Sequence, residues 1–232
     1  MNKFVQNKQG FTLIEILVAL AILALTATMM IGFFDTDRAE LDKAASTLEK
    51  AVALSESEAI YRNSFTRIFF DLKSDTDLEY SDNPVILSTP QIYTVQYGTD
   101  SKITIDPELF QIDEDEDDEE LLALSKKQEQ NFQPLPELEE GKVEIASTVR
   151  IFSIGSSLLK SNVTEGKIAL YTFPNGEKDA GIIILGTTSE LVSLTIEPFS
   201  SRTERRYYDI RGKQIEEIRE IVEGIYNEWL KK

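Results

Sequence analysis

Residues 11–34 read FTLIEILVALAILALTATMMIGFF, a stretch whose only ionisable group is Glu15. At about 1.5 Å of rise per residue a helix of this length reaches about 36 Å, enough to cross a hydrocarbon core of ~30 Å. The stretch is therefore predicted to be a transmembrane helix. Ten mostly polar residues precede it and carry Lys3 and Lys8 but no acid, so the N-terminus is expected in the cytoplasm and the bulk of the chain outside it. An ordinary cleaved signal peptide would need a small-residue site after the apolar run, and only Thr26-Ala27-Thr28 approaches one.

Working outward, nothing stops the helix at the end of the apolar run. No Pro occurs before Pro84, and Gly32 is the only Gly between positions 11 and 97. Leu41, Ala44, Ala45, Leu48, Ala51, Val52, Ser55 and Ala59 recur at helical spacing, with charged residues between them. One helix is expected over 11–62, its second half bearing a small-residue stripe that can lie close against a sheet or another helix. After Asn63 the pattern changes to short runs rich in Ile, Val, Phe, Tyr and Thr, at 65–72, 92–97, 102–105, 143–154, 168–173, 181–186 and 191–197. Turn signals such as Pro174-Asn175-Gly176 separate them, which predicts an antiparallel sheet or sandwich.

The run DEDEDDEE at 113–120 interrupts the strand region, followed by Pro134 and Pro136. Like charges in sequence repel and stay solvated, so 107–137 is expected to be a loop with a short helical piece at about 121–130. At the C-terminus Ile215, Ile218, Val222, Ile225 and Trp229 alternate three- and four-residue spacings, an amphipathic helix over about 212–232. Its face can dock on its own domain or on a partner. A two-repeat seam is short for an independent coiled coil, which favours its own domain.

Composition narrows the function. The 232 residues contain 41 acidic and 24 basic side chains, a net charge of −17 that repels polyphosphate backbones and argues against nucleic acid as a partner. There is no Cys and no His, which removes thiol nucleophiles, disulfides, and the commonest general base and metal ligand. No Gly-rich phosphate loop and no ordered nucleophile and base can be picked out, so neither a catalytic residue nor a cofactor is expected, and the chain is read as a non-enzyme.

The run Gln9-Gly10-Phe11-Thr12-Leu13-Ile14-Glu15-Ile16-Leu17-Val18, placed where the polar leader meets the apolar helix, resembles the processing site of the type IV pilin and pseudopilin superfamily. The resemblance implies that a membrane prepilin peptidase cuts between Gly10 and Phe11 and methylates the new N-terminal Phe11. It also implies that Glu15, at the fifth mature position, serves filament assembly. Physical reasoning points the same way. Gly10 lacks a Cβ and lets a peptidase approach an extended backbone. A carboxylate within a bilayer costs about 2.5 to 3.5 kcal/mol, which a paired ammonium partly offsets. If that ammonium belongs to a neighbouring subunit, the pair sets the axial register.

Further along, Arg67 to Leu72, Leu138 to Ile145, Phe173-Pro174-Asn175-Gly176 and the stretch from Leu194 to Arg202 look like stations of the GspH/FimT group, which holds the minor pseudopilin H of type II secretion and related minor pilins. Ser201 stands where that group usually has Gly before Arg. The expected architecture is thus α+β and pilin-like: a leader over 1–10, a helix over 11–62 with its membrane span at 11–34, a β-rich exported domain over 63–206, and a C-terminal amphipathic helix over 207–232. The implied function is that of a minor pseudopilin in an inner-membrane-derived periplasmic filament. Its implied partners are other pilins, the prepilin peptidase and the inner-membrane assembly platform. The alternative is a minor pilin of a type IV pilus. The residues alone offer two other candidate sites. The acidic octet lacks the interleaved Gly and Asn of a calcium loop, so no metal is expected. Arg202, Arg205 and Arg206, with Arg211 and Lys213 just beyond, form the only close Arg cluster that could meet DNA in a family where some minor pilins do so.

Overall fold

A 50-residue helix, α1 (Leu13–Arg62), runs until Asn63 takes a positive φ of 49°. The Ser64 N–H then donates to the Ala59 carbonyl at 3.1 Å, closing the last turn as left-handed C-terminal residues do. The computed structural model describes residues 13–72, 90–99, 106, 119–136, 142–159 and 162–232, with backbone only for 27–36 and 119–122. The leader, the pair Gly10 and Phe11, the strand expected at 102–105 and residues 113–118 of the acidic run lie outside the described residues. The chain divides into two units, residues 1–36 and 37–232.

In the second unit, ten strands follow α1 among the described residues: β1 (Thr66–Leu72), β2 (Ile92–Gly98), β3 (Phe132–Pro134), β4 (Val143–Glu144), β5 (Arg150–Ser156), β6 (Asn162–Val163), β7 (Gly166–Thr172), β8 (Gly181–Gly186), β9 (Glu190–Ile196) and β10 (Glu204–Asp209). Two shorter helices accompany them, α2 (Glu119–Gln130) and α3 (Ile215–Trp229). One sheet has the order β3-β2-β1-β7 with β4 also on β2, and the other has the order β10-β9-β8-β5-β6. All pairings are antiparallel. With the N-terminal helix, antiparallel sheets and a C-terminal helix, the fold is α+β and pilin-like.

The main core lies where Leu41, Ala45, Leu48 and Val52 of α1 meet Ile68 and Phe70 of β1, Val95 of β2, Ile154 of β5 and Ile183 and Leu185 of β8. Alternation along β1 sends Ile68, Phe70 and Leu72 into this core and Arg67 and Phe69 to the opposite face. The small residues of the α1 stripe allow close approach. Ser55 sits fully buried, 2.8 Å from the Thr66 hydroxyl and 3.1 Å from that of Thr172, so the two hydroxyls that face the helix are satisfied within the core.

Three features differ from the sequence expectation. The interval 107–137 contains α2 as expected, but also β3, whose Phe132 is buried. The strand expected at 143–154 is divided: β4 joins one sheet and β5 the other, with a turn between them in which the Val149 N–H donates to the Ala146 carbonyl at 2.8 Å. Strand β10 runs to Asp209, past the 206/207 division, because Glu204, Arg205, Arg206, Tyr207 and Tyr208 pair residue by residue with β9 from Thr195 to Leu191.

The C-terminal helix covers the outer face of the second sheet. Ile218, Val222, Ile225 and Tyr226 are buried with Phe152 of β5, Ile182 and Ile184 of β8, and Ile210, while Ile215 and Trp229 lie at the margin. Docking on its own domain is the arrangement the short seam predicts. Gly155 makes room for it, since a Cβ there would stand 2.6 Å from the Tyr226 ring. The crossover from β7 to β8 is pinned by Asp179. Burial pushes its carboxyl up, and the Ser156 and Ser157 hydroxyls at 2.5 and 2.7 Å counter that by donating to the ionised form.

Candidate processing and assembly segment

In the first unit the described side chains are those of residues 13–26. Leu13, Ile14, Ile16, Leu17, Val18, Leu20, Ile22, Leu23 and Leu25 are all exposed, Leu13 to 82%. Consecutive exposed apolar residues place apolar surface all around the helix, the pattern of a helix meant for lipid or for the interior of a helical assembly. The one hydroxyl there is satisfied internally, for Thr26 Oγ1 donates to the Ile22 and Leu23 carbonyls at 3.0 Å each. Such internal pairing is what a polar group needs where water is absent.

Among the described residues no helix is long and apolar enough to cross a membrane. Residues 13–26 measure about 21 Å, and the remainder of the expected 11–34 span falls where no side chains are described. Glu15 stands in the first turn of α1, exposed, at the end of the helix whose dipole favours a carboxylate. Gly10 and Phe11, the expected cleavage and methylation pair, lie outside the described residues.

In the second unit the α1 surface shows a feature that sequence reading missed. Asp42, Glu49 and Glu56 are spaced seven residues apart, so they form one row along the helix. Each has a partner from the β-rich region. The Tyr207 hydroxyl donates to Asp42 at 2.6 Å, Arg205 and the Thr203 hydroxyl donate to Glu49, and Lys178 donates to Glu56 at 2.9 Å. Arg38 extends the seam through Glu190 at 2.6 Å, its guanidinium 3.8 Å above the Tyr207 ring. Arg205 holds the Glu49 carboxyl below the usual carboxylate range, and Glu49 in return pushes the Arg205 guanidinium up.

The Arg cluster that could meet DNA is thus largely engaged. Arg205 is bound to Glu49, and Arg206 lies 2.9 Å from Glu204 and 3.3 Å from Glu228. Arg211 pairs with Asp209 at 3.0 Å. The heptad row of carboxylates was the signal available in sequence for this seam.

Residues 5–31 match the family described as the prokaryotic N-terminal methylation motif. The match covers the junction of leader and apolar helix, and the chain therefore carries a type IV pilin-like prepilin signal. A signal of this kind implies processing by a prepilin peptidase and assembly with other pilins. No curated protein and no solved structure matches the chain.

Proposed function

We propose that the chain is a minor pseudopilin, a structural subunit of a periplasmic filament of type II protein secretion. It is cut after Gly10, methylated at Phe11, and drawn from the inner membrane into the filament through α1. The observation that carries this reading is the methylation motif at residues 5–31, which opens directly into a helix whose described apolar side chains are exposed. The engagement of Arg205 and Arg206 by carboxylates supports a filament role over nucleic-acid capture. Deleting the gene tests it: blocked enzyme export with intact twitching and transformation is expected. The reverse phenotype would assign the chain to a type IV pilus instead.

Processing gives its own test. In cells with active prepilin peptidase, N-terminal sequencing of the native protein should start at methylated Phe11, and Gly10→Val should leave the full precursor in the membrane, since a β-branched side chain blocks the extended backbone from the peptidase. A native chain starting at Met1 would refute the assignment of the cleavage site.

Glu15 is assigned the register role. Glu15→Ala removes a carboxylate that costs about 2.5 to 3.5 kcal/mol at the centre of a bilayer and less near its edge, so insertion is kept or improved. Entry into the filament falls, because the partner for the Phe11 ammonium of a neighbouring subunit is gone. Cross-linking into the filament together with a membrane-fraction assay reads both effects. Normal incorporation of the variant would exclude the pairing role.

A further inference from the structure

Beside the middle of α1 in the second unit lies a cavity of about 290 Å³, bounded by Glu49 and Val52 of the helix, Lys178, and residues 200–203 between β9 and β10. Its floor is a cation: the Lys178 side chain is only 3% exposed. An ammonium has three N–H donors, and among the described residues one of them is used, on Glu56 at 2.9 Å. Arg202 at the rim has no acceptor for its guanidinium among the described residues, its backbone N–H being the group that donates to Ser200 Oγ at 3.2 Å. Ser200 in turn donates to the Arg202 carbonyl at 3.0 Å. Glu49 is already held by Arg205 and Thr203.

The hydrogen-bonding capacity left over is therefore that of donors: two Lys178 N–H groups, the Arg202 fork, and the Ser201 hydroxyl. Of these only Lys178 is buried, and a buried charged donor requires acceptors, while the exposed Arg202 and Ser201 can add theirs from the rim. We infer that this cavity is a carboxylate-binding site that takes a single Asp or Glu side chain from a peptide segment of a partner polypeptide. Three properties select that ligand. The guanidinium fork matches a planar carboxylate in bidentate geometry. Glu49 and Glu56 beside the cavity repel a dianionic phosphate or a polyanionic strand more strongly than a single carboxylate. Phe199, 80% exposed and adjacent in sequence to the lining residue Ser200, offers apolar surface for peptide flanking the carboxylate. The inference goes beyond the filament reading and does not depend on it.

The test uses the full chain in detergent micelles and a fluorescein-labelled decapeptide with one acid between two aromatic residues, GSQFEFQSGS, with GSQFQFQSGS as the neutral control, followed by fluorescence anisotropy at fixed ionic strength. The acidic peptide should bind and the neutral one should not. Arg202→Gln, a change at an exposed position, should weaken binding by about tenfold or more, the scale of one lost charge-assisted hydrogen bond. Phe199→Ala should weaken the peptide while leaving competition by acetate unchanged, which separates a peptide carboxylate from a free small acid. The paired variant Lys178→Met with Glu56→Gln removes the floor cation without stranding a buried charge, and should abolish binding while retaining a cooperative melt. Equal binding of the neutral peptide, unchanged affinity in Arg202→Gln, absence of acidic-peptide binding, or tighter binding of inorganic phosphate or a single-stranded oligonucleotide would each overturn the inference.

Discussion

A chain ending at Arg211 should lose about 4 to 10 kcal/mol of unfolding free energy relative to the full protein. The four residues of α3 that are buried, Ile218, Val222, Ile225 and Tyr226, each contribute roughly 1.5 to 3 kcal/mol by area transfer. That sum is an upper estimate because the unfolded chain already buries part of the surface. It is still comparable to the ~5 to 15 kcal/mol that holds a whole domain folded. Truncation also uncovers Phe152, Ile182 and Ile184 on the outer face of the second sheet, and a contiguous apolar face of that kind promotes association. Urea titration of the full and shortened chains in the same detergent measures the difference, and dye binding reads the uncovered face. A smaller change serves as control: Gly155→Ala places a methyl 2.6 Å from the Tyr226 ring, and overpacking of this kind costs about 1 to 3 kcal/mol. If the shortened chain unfolds at the same urea concentration as the intact one, the buried face of α3 contributes nothing to the stability of its own domain.

The elements that were legible in sequence are those whose side chains follow a single rule. The stripe from Leu41 to Ala59 obeys helical spacing and is buried on one side, and β8 (Gly181–Gly186) is a continuous apolar run because both of its faces are covered, one by the core and one by α3. Strand β10 was hidden because Glu204, Arg205 and Arg206 are charged, and a charged run reads as solvated surface. In the fold Arg205 faces the helix and finds Glu49 there, a match between residues 156 positions apart that no local pattern expresses. Strand β3 was hidden for another reason. Three residues with a Pro among them carry almost no strand signal, and their place is fixed by pairing with β2 at Gln96, Tyr97 and Gly98. Of the candidate site, the methylation motif at residues 5–31 was legible because its meaning is local to one short run, whereas the seam along α1 and the cavity beside it come from tertiary contact.

Arg67 should separate packing from charge in the outer layer of the first sheet. Alternation along β1 puts Arg67 on the face opposite the main core, the usual place for a solvated side chain, yet it is 1% exposed. Its guanidinium lies 4.0 Å from the centre of the Phe132 ring and 5.1 Å from that of Phe69, and Nε donates to Gln96 Oε1 at 2.6 Å. Burial pulls the guanidinium below its ordinary range, countered in part by Tyr171, and burial pushes the Tyr171 phenol up to about 12. Arg nevertheless stays charged at neutral pH, so desolvation is a standing cost that the stacking and hydrogen bonds offset. Arg67→Ala removes the long stem as well as the charge and leaves a hole under Phe132, for a loss of about 3 to 5 kcal/mol. Arg67→Met keeps most of the volume and removes the desolvation cost, losing the cation–π contact and the bond to Gln96, so its net loss should stay under about 2 kcal/mol. Urea midpoints of the three full-length chains compare the two substitutions, and hydrogen exchange across 119–134 reports whether α2 and β3 loosen. If Met destabilises as much as Ala, the charge and its hydrogen bonds hold this layer, and filling the space under Phe132 does not.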